Sequence, residues 1–227
     1  KIIFGLEGLG QESANHSAVM AYSTGDGTQI FEYQSASDGS HTLITDMAQI
    51  GDFVAYVTTS LGNSQENNPN IYILNEDGSE HQALTDFSEI SIRSLTDHNG
   101  QLIASANNQL FIINPQTGEI TNTLEPEFGV GRSSQSEGDL FFGTDHLQRF
   151  NPDSGETVWS SKFGNFFRSP PLVDESLVFI TVTDGQLIAL DKETGDEVWR
   201  KRIGYEIQSI PKMGANSVWT VDEVGNL

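Results

Sequence analysis

The stretch A-L-D-K-E-T-G-D-E-V-W, Ala189 to Trp199, decides the fold. Its centre has the composition of a tight turn. Asp191 and Thr194 carry short oxygen-bearing side chains that bond nearby backbone N–H groups, and Gly195 permits a left-handed backbone. The apolar run Q-L-I-A-L precedes it, and a tryptophan follows four residues after the glycine.

The same arrangement echoes back through the chain. It reads H-L-Q-R-F-N-P-D-S-G-E-T-V-W around Gly155, Q-L-F-I-I-N-P-Q-T-G-E-I-T-N around Gly118, N-I-Y-I-L-N-E-D-G-S-E-H around Gly78 and Q-I-F-E-Y-Q-S-A-S-D-G-S-H around Gly39. Successive glycines lie 39, 40, 37 and 40 residues apart. A steady period of this length marks a repeat architecture.

Each unit spells four short strands. In the clearest one, R-S-P-P-L-V-D enters a first strand and S-L-V-F-I-T-V-T forms a β-branched second. Asp184-Gly185 turns a hairpin, Q-L-I-A-L-D is the third strand and D-E-V-W-R-K-R the fourth. Earlier units show the same order, with a long polar insert, S-L-G-N-S-Q-E-N-N-P-N, in the second. The first unit is read as V-M-A-Y-S-T, a turn at Gly25–Gly27, then Q-I-F-E-Y and the Gly39 turn. No helical period extends beyond two turns. Four antiparallel strands per roughly 40 residues is the period of a β-propeller blade. The expectation is one all-β propeller domain over residues 1–227, with about five full blades and a partial sixth. The opening K-I-I-F-G-L-E-G-L-G-Q-E-S-A-N-H falls outside the pattern, and the chain stops mid-blade. It opens on Lys1, which reads as a truncated or processed chain whose ring is completed by residues not included or by a second chain.

Composition narrows the partners. There are 32 acidic residues against 11 basic ones, for a net charge of −21. Such a surface repels nucleic acid and anionic lipid. With no cysteine, disulfides and thiolate chemistry are excluded. No apolar run approaches the roughly 20 residues of a membrane span. The five histidines, His16, His41, His81, His98 and His146, show no H-E-x-x-H spacing. His41 and His81 occupy matching repeat positions on neighbouring blades, where either a two-histidine site or a pair of exposed turn residues fits. No G-x-S-x-G elbow occurs. Gly5, Gly8 and Gly10 precede no helix and read as turn glycines. Arg200, Lys201 and Arg202 form the one basic cluster, on an outer strand where charge discourages edge pairing.

Ala189, Asp191, Lys192, Thr194, Gly195 and Trp199 resemble the repeat motif of pyrroloquinoline-quinone-like β-propellers, and Asn151, Ser154, Gly155 and Trp159 match it in part. Asn114, Thr117 and Gly118 match less, with Asn122 where the tryptophan belongs. The first two units are similar to TolB-type repeats at Asp77–Asp86 and Asp38–Asp46. The resemblance implies that each tryptophan docks its blade on the next. It is specific for fold and broad for function, since similar propellers include quinoprotein dehydrogenases, outer-membrane assembly scaffolds and receptor sensor domains. A quinone- and calcium-dependent dehydrogenase commonly carries a vicinal disulfide and long loops, which this chain lacks; that activity, or a metal-assisted one, is the alternative reading. The expected function is a non-catalytic scaffold or recognition domain that binds protein or extracellular ligand, with no cofactor, in the periplasm or outside the cell. The structural motif is Ala189, Asp191, Thr194, Gly195 and Trp199 with Asn151, Gly155 and Trp159. The candidate interaction surface is Phe163, Phe166, Phe167 and Arg168, in the link between two blades.

Overall fold

The computed structural model describes residues 2–7, 17–34, 42–60, 71–84, 86–87, 90–106, 108–207, 209–215, 217–222 and 225. Among them every regular element is a strand. β1 (Ile2–Glu7), β2 (Ser17–Tyr22) and β3 (Gln29–Gln34) form a three-stranded sheet. Four four-stranded sheets follow, each joining strands in chain order. The second contains β4 (Thr42–Ile50), β5 (Phe53–Ser60), β6 (Ile71–Leu74) and β7 (Glu80–Leu84). The third contains β8 (Ile92–His98), β9 (Gln101–Ala106), β10 (Gln109–Ile113) and β11 (Ile120–Leu124). The fourth contains β12 (Ser134–Ser136), β13 (Asp139–Gly143), β14 (His146–Asn151) and β15 (Glu156–Lys162). The fifth contains β16 (Leu172–Val173), β17 (Leu177–Val182), β18 (Gln186–Asp191) and β19 (Glu197–Arg202). β20 (Lys212–Met213) and β21 (Val218–Trp219) form a two-stranded sheet. This is the expected all-β propeller architecture of four-stranded antiparallel blades. Residue contacts divide the chain into two compact units, Lys1–Ala104 with Ile112–Thr121 and Ser105–Phe111 with Asn122–Leu227, the division passing through the third sheet.

The strand patterns explain the burial. β13, β17 and β18 are near-continuous apolar runs and are covered on both faces, as strands inside stacked blades must be. β15 alternates exposed and half-buried residues, because a fourth strand has one face against a neighbour and one toward solvent. In the second unit the core of the fourth and fifth sheets gathers Phe141, Leu147, Phe163, Phe167, Val178, Ile180 and Ile188. In the first unit Val19, Phe31, Val54, Tyr56 and Leu74 pack together.

The opening of the chain differs from the sequence reading in its phase. The residues expected to lie outside the pattern include β1, which pairs antiparallel with β2 from Ile2↔Tyr22 to Glu7↔Ser17. Gly5 is therefore a strand residue opposite Val19, not a turn glycine; Gly8 and Gly10 lie outside the described residues. The turn at Gly25–Gly27, read as an inner hairpin, has the hydrogen bonds of the outer one. Ser23 N–H donates to Thr28 O at 2.8 Å and Gly27 N–H to Ser23 O at 3.0 Å. Asp191 N–H donates to Asp196 O at 2.8 Å and Gly195 N–H to Asp191 O at 2.9 Å in the same way. Both glycines have φ +74°, and a β-bulge precedes each turn, at Ala21/Tyr22 and at Ala189/Leu190. The repeating glycines are thus Gly27, Gly78, Gly118, Gly155 and Gly195. Gly39 lies outside the described residues, and Thr42–Ile50, which contains the second TolB-like segment's end, is the first strand of the second sheet. The matching positions inferred for His41 and His81 disappear with this phase; His16 and His41 lie outside the described residues.

Candidate functional site

The repeated turn is the joint between blades, and its chemistry is local. Asp191 Oδ1 accepts the N–H groups of Glu193 and Thr194, each at 2.9 Å. These bonds favour the ionised carboxylate and hold Asp191 below the ordinary aspartate range, the Thr194 N–H bond being the largest cause. Thr194 Oγ1 donates to Asp196 Oδ2 and accepts the Asp196 N–H. The turn therefore presents the flat face of Gly195 to the preceding blade.

Trp159 fills that face. A Cβ on Gly195 would fall 2.6 Å from the Trp159 ring, so only glycine admits the indole. Trp159 Nε1–H donates to Lys192 O at 2.9 Å, and Ser161 Oγ donates to Gly195 O. Arg149 crosses the same seam, with Nε 2.6 Å from Asp139 Oδ2 and Nη1 2.6 Å from Glu193 Oε2. Asp139 also accepts the Asn151 side-chain N–H at 3.0 Å. Lys192 is 1% exposed, and its Nζ donates to Glu137 Oε2 at 2.8 Å. Glu137 itself has φ +54° in the β12–β13 turn. Sequence reasoning placed Lys192 in the motif without showing that its ammonium is enclosed; only the fold brings Glu137 to it across 55 residues.

The other seams use substitutes. Phe31 stands where Trp159 stands and covers Gly78, whose Cβ would lie 2.4 Å from Phe31 Cγ. Gln82 and Asn122 occupy the tryptophan position in the next two blades, and there Leu84 and Leu124, two residues later on the same strand face, meet Gly118 and Gly155. His81 supplies a polar counterpart to the indole: its Nε2 lies 2.8 Å from Gln116 O and its ring 4.9 Å from Phe53. His81 is thus a seam residue. Trp199 is half-buried and packs on Phe179, centroids 5.9 Å apart, with Leu187, Ala189 and Val218. The first unit also holds a tyrosine group that the sequence did not signal. Tyr56 stacks on Tyr72 at 4.9 Å, and the Tyr33 hydroxyl donates to Glu80.

The candidate interaction segment splits in two. Phe163 and Phe167, read as exposed partners of Phe166, are 5% and 3% exposed and belong to the core. They turn inward because their N–H groups are fixed to Asp145 O and Thr144 O, both at 2.9 Å. Phe166 is left 59% exposed and Arg168 exposed beside it. Further bonds hold the segment: Thr183 N–H donates to Phe166 O, and Asn165 Nδ2 to Asp184 Oδ2 at 3.0 Å. The result is one exposed aromatic on a clamped backbone. Arg200 pairs with Glu197, while Lys201 and Arg202 are exposed on β19. Among the described residues no group of three His, Asp or Glu is arranged to hold a metal ion, and no helix is long and apolar enough to cross a membrane.

A family model described as outer membrane protein assembly factor BamB matches residues 91–218. The chain belongs to that family. The BamB family match carries the expected PQQ-like propeller repeats and spans the third, fourth and fifth sheets. The crystal structure of BamB from Moraxella catarrhalis is similar in fold, with a TM-score of 0.54 and 16% sequence identity over 82% of this chain. The chain spans 57% of that BamB's length. No curated protein sequence matches it significantly.

Proposed function

We propose that this chain is a non-catalytic recognition scaffold that binds a protein partner through the linker face bearing Phe166 and Arg168. The observation that carries the reading is the exposure of Phe166 on a backbone held at both ends by Phe163 and Phe167. A large aromatic with little freedom left to lose is the usual core of a binding hot spot, and an adjacent guanidinium adds directional hydrogen bonds. The BamB family description supports a partner among proteins that assemble the outer membrane, and a location on the periplasmic side of that membrane. The net charge of −21 favours protein over nucleic acid as partner.

The test is site-specific crosslinking in the native host. A photoreactive aromatic residue at position 166 of the full chain is expected to crosslink to an outer-membrane assembly protein, and Arg168→Glu to abolish the crosslink. Crosslinking from Val198, on the outer strand, but not from position 166 would overturn the assignment of the face. Quinone- and calcium-dependent oxidation of an alcohol with a dye acceptor would overturn the non-catalytic reading.

A further inference from the structure

We propose that Phe128, His146 and Asp145 form a proton-responsive latch that sets the linker carrying Phe166. The rings of Phe128 and His146 stack with centroids 4.2 Å apart and planes 6° from parallel. His146 Nδ1 lies 3.1 Å from Asp145 Oδ1, and the His146 side chain is only 16% exposed. The contact is an ion-pair approach rather than an aligned hydrogen bond, since Nδ1 finds no well-directed partner. A bare nitrogen lone pair facing a carboxylate oxygen at that distance is repulsive, so the geometry favours a proton on Nδ1.

The latch reaches the linker through two peptide groups. Thr144 O accepts the Phe167 N–H and Asp145 O accepts the Phe163 N–H. The hairpin between β13 and β14 therefore grips both ends of the segment from Phe163 to Phe167. It has little room to give, because a Cβ on Gly143 would fall 1.7 Å from His146 O. Movement of the Asp145–His146 pair is transmitted to the linker rather than absorbed.

Histidine is the side chain whose charge ordinarily changes between pH 5 and 8. The Asp145 carboxylate and the face of Phe128 both lie directly against the imidazole, so its change of charge is felt at both contacts. Asp145 is held below the usual carboxylate range, first by its contact with the His146 side chain. Lys162 stands opposite His146 on β15. Glu127 beside Phe128 and Arg168 on the linker are the other charged groups on these elements, and both are exposed. A proton gained by His146 places a positive charge between the Asp145 carboxylate and the Phe128 ring, so the latch tightens when the imidazole is protonated and loosens when it is neutral. The consequence for partner binding rests on the recognition reading above; the latch itself does not.

Nuclear magnetic resonance of the full chain between pH 5 and 8 tests it. The Phe163 and Phe167 amides are expected to shift with the same midpoint as the His146 ring protons, and His146→Gln to remove that titration from both amides. Amides that stay constant, that follow a different midpoint, or that still titrate in His146→Gln overturn the proposal. Should that variant fail to fold, Phe128→Leu keeps the ion pair and removes the stack, and the pH-dependent shifts of the Phe163 and Phe167 amides are expected to shrink; shifts of unchanged size overturn the latch. A titrating latch without a crosslink from position 166 would leave the latch standing and remove only the partner face.

Discussion

Trp159 and Gly195 are two halves of one contact, and substituting either disturbs the seam for different reasons. Trp159→Ala removes a large ring and its bond to Lys192 O, and is expected to cost about 3 kcal/mol in urea unfolding. Trp159→Phe keeps most of the ring and loses the N–H donor, with an expected loss of about 1 kcal/mol. Gly195→Ala is expected to cost as much as Trp159→Ala, about 3 kcal/mol, because it combines a left-handed backbone with a 2.6 Å collision. Trp199 is only half-buried and packs on Phe179, Leu187 and Ala189 of its own sheet, so Trp199→Ala is expected to cost less, about 2 kcal/mol. Much of this was legible at single residues: Asp191, Thr194 and Gly195 behave as turn chemistry requires. Leu84 and Leu124 were not legible as docking residues, since a leucine two positions late carries no signal until strand faces are known.

At the scale of strands and seams, the charges between the fourth and fifth blades are asymmetric. Arg149 neutralises Asp139, which is buried, whereas Lys192 pairs with Glu137, which is exposed. Arg149→Met strands a buried carboxylate and is expected to destabilise by about 3 kcal/mol. Lys192→Met replaces an enclosed amine with an apolar chain and leaves Glu137 in water, so thermal denaturation is expected to show little change or a small gain. The order of strands within the regular blades was readable from alternation and turn glycines. The phase of the first blade was not. Its true turn, Ser23 to Thr28, lacks the tryptophan, with Phe31 in that role, and the polar insert after β5 stretches Gly27 to Gly78 to 51 residues. Gly39 happens to sit one ordinary period before Gly78 and so captured the reading. Period alone could not separate a local D-G-S turn from the joint that Phe31 closes.

For the molecule as a whole, repeated turns mean repeated carboxylates with the same pH dependence. Asp26, Asp77 and Asp191 are all held below the ordinary aspartate value, by the Ser23 hydroxyl, the Ser79 hydroxyl and the Thr194 N–H respectively. A depressed folded-state value stabilises the fold above the unfolded value, near pH 4, and that contribution is lost as pH falls through the folded values. The urea midpoint is therefore expected to hold from pH 7 to about 4.5 and fall below about 4. Asp191→Asn, which keeps the turn oxygen without the charge, is expected to flatten that fall; an unchanged slope would show that the turn carboxylates do not govern it. Fold class and family likeness were available from the repeat. The split of the linker aromatics was not, because Phe163 and Phe167 differ from Phe166 only in the backbone bonds that aim them.

The enclosed Lys192 ammonium also makes the chain its own sensor of separation between blades. Amine-reactive esters modify lysines that water can reach, and Lys162, Lys201 and Lys212 are open to them. Lys192 can be acylated only when the fourth and fifth blades part. Its labelling rate, read by peptide mass spectrometry against those three lysines, therefore counts opening events at that one joint while the rest of the molecule stays folded.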